Sequence, residues 1–177
     1  MIWLSNSTLQ RLRDQLRERG ARPSIVLEGG VSPETAEGLA VVAEYGALTE
    51  AMYLMMSADG HVTNDEREVL RGALRALSSD AIRSAHIESL LDSAAKQVAE
   101  HGREARMEEV IAHLKDDPAR AEVAFVLASA IAFADNAIAD QENDTLNELA
   151  EGLGFDEGKA AALLDGVEAD LAASART

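Results

Sequence analysis

The chain has no cysteine, three prolines, and aromatic side chains at only 3% of its 177 residues. Lacking cysteine, it has no disulfides, thiolate metal sites, iron–sulfur ligation or thiol nucleophile. Aromatic and β-branched strand formers are scarce, which argues against a sheet, and so few prolines leave long stretches free to run as helix. Positive charge is also in short supply. Lys and Arg number 16 against 32 Asp and Glu, a net charge of −16. A balance this acidic excludes DNA or RNA as the main partner, because phosphate binding needs clustered Lys and Arg; it suits a cation, a basic protein surface or plain solubility. No apolar run reaches the roughly 20 residues of a membrane-spanning helix. The longest, Val123 to Ala134, contains Ser129 and reads as a buried core helix, so no membrane insertion is expected. Met1 to Leu4 is too short for a secretory leader, and Asn6, Arg11, Arg13 and Asp14 follow it closely, which points to the cytoplasm.

What is abundant is alanine, with 33 residues. Alanine has the best intrinsic helix propensity, so the composition predicts an all-α fold. At roughly 100–200 residues per domain, the length argues for one domain or two intimately packed halves.

Seven to eight helices follow from the apolar spacing. Leu9, Leu12 and Leu16 share one face of a first helix that ends at Gly20, and its Arg11, Arg13, Arg17 and Arg19 make it locally basic. This helix and a linker occupy residues 1–31, and the remaining domain runs over 32–177. Ser32-Pro33 opens a second helix carrying Leu48, Met52, Met55 and Met56, with a kink expected near Gly46 and a stop at Asp59-Gly60. Val69, Leu70, Ala73, Leu74 and Leu77 mark a third helix, and Ile87, Leu90, Leu91, Ala94 and Val98 a fourth, closed by Gly102. Met107, Val110, Ile111 and Leu114 form a short fifth. Asp117-Pro118 starts the apolar sixth, and two more cover about Gln141 to Leu153 and Glu157 to Ala173.

One pattern occurs twice. Shifted by 76 residues, Ala58-Asp59-Gly60-His61-Val62-Thr63-Asn64-Asp65-Glu66 falls on Ala134-Asp135-Asn136-Ala137-Ile138-Ala139-Asp140-Gln141-Glu142. Each copy follows an apolar helix and precedes an amphipathic one, so the chain reads as two related halves, about 36–102 and 103–173.

In each copy an Asp closes the incoming helix and a Glu lies seven residues on, in the first turn of the next. If the two units pack as pseudo-symmetric partners, Asp59, Glu66, Asp135 and Glu142 converge. Four such carboxylates require protonation or a cation among them. Oxygen-only ligation favours Ca²⁺, Mg²⁺ or Mn²⁺, with Zn²⁺ less natural though His61 is adjacent. A local account stands beside this one. Thr63-Asn64-Asp65-Glu66 fits a capping box, in which Glu66 bonds back to the Thr63 amide, and acids in a first turn complement the helix dipole. The second copy has Ala139 at the capping position, without a side-chain acceptor, yet keeps Glu142. Neither copy is an EF-hand: in that template Leu70 or Leu146 falls where the bidentate Glu belongs.

Helices ending in Ala-Asp-Gly with a Glu seven residues past the Asp resemble the TerB-like tellurite-resistance family. Leu114-Lys115-Asp116-Asp117-Pro118-Ala119-Arg120 and Leu149-Ala150-Glu151-Gly152-Leu153-Gly154-Phe155 extend the likeness, which spans roughly Ala36 to Asp165. The resemblance implies a cytoplasmic, all-helical domain of two related halves, with Asp59, Glu66, Asp135 and Glu142 as metal ligands. Asn136 stands where the family has Gly, and Asn64 and Gln141 dilute the acidic cluster.

The function expected is therefore a non-enzymatic divalent-metal-binding domain in metal, tellurite or chemical stress response, acting through protein partners. The alternative is an acidic interaction module that holds no metal. Catalytic signatures are missing: the four histidines are scattered, and no Gly-x-Ser-x-Gly elbow or Gly-Lys-Ser/Thr phosphate loop occurs. Trp3 and Leu4 suit either a staple for the first helix or a homodimer contact.

Overall fold

The computed structural model describes residues 4–18, 33–134, 138–174 and 176, with side chains of the second helix described from residue 44 onward. The described residues form eight helices and no strand: α1 (Asn6–Glu18), α2 (Pro33–Met56), α3 (Asn64–Ser78), α4 (Ser84–His101), α5 (Arg103–Leu114), α6 (Pro118–Ala132), α7 (Asp140–Gly152) and α8 (Glu157–Ser174). The all-α expectation holds, and α2 runs through Gly46 as one continuous helix.

Local chemistry explains the boundaries. Pro33 begins α2 and Pro118 begins α6, where a missing amide costs nothing. Asp117 caps α6 by accepting from the Arg120 amide at 3.2 Å. The α2–α3 turn needs Gly60, which sits at φ +82° and donates its amide to the Ser57 carbonyl. Gly152, near the end of α7, is required for another reason: a Cβ there would lie 2.3 Å from Ile111 Cδ1 on α5.

The core is built around α2 and α6, which pack against each other and against most of the other helices. Every residue from Val123 to Ala132 is buried, as is the stretch Leu54–Met56 at the end of α2. Two hydroxyls lie fully inside, and each is satisfied within its own helix. Thr49 donates to the Tyr45 carbonyl at 2.9 Å, and Ser129 to the Phe125 carbonyl at 2.7 Å. At roughly 1.5–3 kcal/mol for each large apolar side chain removed from water, this two-helix centre dominates the stability of the fold.

The helix contacts have an internal symmetry. α2 packs on α4 as α6 packs on α8, and α3 reaches across to α6 as α7 reaches across to α2. α1 packs on α3 and α6, while α5 packs on α7 and α2. Helix α1 thus has the role in one four-helix unit that α5 has in the other. The registers agree: Met107, Val110 and Leu114 on α5 repeat the spacing of Leu9, Leu12 and Leu16 on α1, 98 residues on. Likewise Leu90, Leu91 and Ala94 on α4 match Leu163, Leu164 and Val167 on α8, 73 residues on. The 76-residue shift carries the last residue of α2 onto the last of α6, and the first of α3 onto the first of α7.

Polar clamps join the units. Arg106 on α5 grips Glu50 on α2 through two nitrogens, at 2.6 and 2.9 Å, with both side chains less than one-fifth exposed. That hydrogen-bonded carboxylate holds the Arg106 guanidinium above its usual pKa range. On the other side, Glu122 on α6 accepts from Arg11 at 3.2 Å and Gln15 at 3.1 Å, both on α1. Lys159 of α8 lies 3.7 Å from its second oxygen and 4.6 Å from the centre of the Phe155 ring. The arginine face of α1 is therefore turned partly inward, onto an acid of the core helix.

Candidate functional site

The two acidic junctions are built alike. After α2 the chain turns through Asp59, whose Oδ1 accepts from the His61 amide at 2.8 Å, while the His61 ring nitrogen Nδ1 lies 3.2 Å from the Asp59 carbonyl oxygen. Thr63 then caps α3: its hydroxyl accepts from the Glu66 amide at 3.2 Å, and Glu66 Oε2 accepts from the Thr63 amide at 2.6 Å. The capping box read from the sequence is present in full. Glu66 is only 4% exposed, so its carboxylate is a buried charge at the base of the junction.

The second junction keeps half of this device. Glu142 Oε2 accepts from the Ala139 amide at 2.7 Å, as Glu66 does at Thr63. Ala139 holds the same extended capping conformation, φ −70° and ψ 157°, but has no oxygen to return the bond. Asp135, with Asn136 and Ala137, lies outside the described residues.

Beside this junction stands a fixed cation that sequence pattern did not single out. Arg103, the first residue of α5, donates through Nη2 to the Thr145 hydroxyl on α7, which in turn donates to the Gln141 carbonyl at 2.7 Å. Its Nη1 is buried without a hydrogen-bond partner. Burial pushes the guanidinium below its usual pKa range, and Glu148 opposes the shift. The only signal available beforehand was an Arg directly after Gly102.

By donor chemistry the four proposed acids suit a hard, oxygen-preferring ion. By geometry, Asp59, Glu66 and Glu142 are each bonded to amides of their own turn. Among the described residues, no three His, Asp or Glu side chains gather into a group able to hold a metal ion.

The chain matches the family described as "Tellurite resistance protein TerB" over residues 46–165. It belongs to the TerB family. That stretch runs from the middle of α2 into α8 and includes both acidic junctions; α1 lies outside it. No curated protein and no solved structure matches the chain. No helix among the described residues is long and apolar enough to cross a membrane.

Proposed function

We propose that this TerB domain is a non-enzymatic, divalent-cation-responsive helical module, cytoplasmic, working through protein partners in metal, tellurite or chemical stress response. The observation that supports the cation is the repeated junction: the same glutamate, bonded back to the same amide, at the foot of each of two equivalent helix pairs. Asp59, Glu66, Asp135 and Glu142 supply the ligands in this reading, with Ca²⁺, Mg²⁺ or Mn²⁺ preferred over Zn²⁺. A ligand bound only by the folded state stabilises it by mass action. Millimolar divalent ion therefore raises the melting temperature of the wild type, and Asp59→Asn combined with Asp135→Asn removes the rise. A wild type indifferent to every one of these ions would falsify the reading.

A second reading, an acidic interaction module without metal, is favoured by the local bonding of the three described acids, which serve as turn and cap residues. It predicts partner capture that weakens steeply with salt and ignores chelators.

A further inference from the structure

A cavity of about 560 Å³ opens between α2, α4 and α5. Gly46 and Ala47 of α2, Ser89 and Ser93 of α4, and Glu109 and His113 of α5 line it. Its pseudo-symmetric counterpart, between α6, α8 and α1, is the place where Glu122 binds Arg11, Gln15 and Lys159. The registers given above align the two sites residue by residue. Gly46 stands where the other unit has Glu122, Glu109 where it has Arg11, and His113 where it has Gln15.

The charge pattern is therefore inverted and incomplete. In the filled site, a cation on the outer helix meets a carboxylate from the central helix. In the cavity the outer helix offers the carboxylate of Glu109, and the central helix offers no side chain at all. The other charged groups on the wall are engaged: Arg106 by Glu50, and Arg120 by a bond from Nη2 to the Glu44 carbonyl. Glu109 makes no ion pair, and its carboxylate no hydrogen bond, within the described residues, and His113 Nδ1 lies 2.9 Å from the Glu109 backbone carbonyl. The hydroxyls of Ser89 and Ser93 and the Gln97 amide of α4 face the same space with no hydrogen bonds of their own.

We propose that this cavity receives a lysine side chain from a basic segment of a protein partner. Its ammonium pairs with Glu109, its methylenes lie over Gly46 and Ala47, and the α4 polar groups serve the partner's backbone. The occupant is a cation because the missing half of the inverted pair is positive. It belongs to a protein segment because the space exceeds one side chain and is edged by peptide-compatible donors and acceptors. This goes beyond the junction reading and stands independently of any ion held there.

The test uses the full chain, with EDTA present, and a fluorescein-labelled Lys-Gly-Lys-Gly-Lys peptide followed by anisotropy. Glu109→Gln removes the charge, and Gly46→Gln fills the space with a neutral helix-compatible side chain; each is expected to weaken binding about three- to five-fold. Glu168→Gln, an exposed acid on α8, removes the same charge elsewhere and leaves affinity unchanged. Equal loss in all three variants, wild-type affinity in either of the first two, or no binding by the wild type would overturn the proposal. Since Glu109 is exposed, its variant reports even if Gly46→Gln does not fold.

Discussion

Gly46 and Glu122 occupy the same position in the two halves of this protein, 76 residues apart, and do opposite things. Glu122 fills its groove with a carboxylate that draws in α1 and α8; Gly46 leaves its groove open. A duplicated scaffold has thus been closed on one side and kept accessible on the other.

Glu122 is the simpler of the two to probe. Replacing it with Ala removes the acceptor of Arg11 and Gln15 and the counter-charge of Lys159, while its 20% exposure limits the loss. We expect a cost of about 1–2 kcal/mol, a fall in melting temperature of several degrees, and faster amide exchange in α1 than in α5. Uniformly faster exchange throughout the chain would count against a specific hold on α1.

The Glu50–Arg106 pair is more enclosed and should behave differently. Removing one partner leaves the other charge buried, so Glu50→Ala is expected to cost about 3 kcal/mol. The double variant Glu50→Ala with Arg106→Ala should be less unstable than the two single losses combined predict. A double-mutant cycle by urea denaturation measures this coupling, and strict additivity would contradict it.

At the junctions, the two caps make opposite predictions. Thr63→Ala deletes a hydroxyl that accepts from the Glu66 amide and should cost about 1 kcal/mol. Ala139→Thr supplies the missing oxygen on a backbone already in capping conformation, with Glu142 in place, and should gain about 0.5–1 kcal/mol. Thermal melts of both variants decide the matter, and destabilisation by Ala139→Thr would refute the equivalence of the two turns.

Gly152 tests the contact between the halves. A methyl group there meets Ile111, so Gly152→Ala should destabilise by about 1–3 kcal/mol although alanine is the better helix former. Ile111→Val in the same chain should relieve part of that loss.

Much of this architecture is visible in the linear chain because it is local. Pro33 and Pro118, the Thr63 box and the apolar run from Val123 are each set within a few residues, and each appears where spacing placed it. The 76-residue repeat is visible for the same reason, since matching turns and apolar positions survive in both copies. The clamps are not visible: Arg11 and Glu122 are 111 residues apart, Glu50 and Arg106 are 56 apart, and no period links them. The arginines of α1 read as a solvated or docking face, whereas packing of Leu9 and Leu12 turns Arg11 onto the core helix. Local bonding also accounts for Glu66 and Glu142 more fully than sequence suggested, because Glu142 closes its turn even without a hydroxyl at position 139.

The most direct test of cation binding is stoichiometric. The purified, untagged protein, dialysed to equilibrium against Ca²⁺ or Mn²⁺, is analysed for metal per chain beside the Asp59→Asn, Asp135→Asn double variant. We expect bound ion in excess of the dialysate for the wild type and none for the variant. The same ion content in both, at any value, would contradict the assignment of the junction acids as ligands.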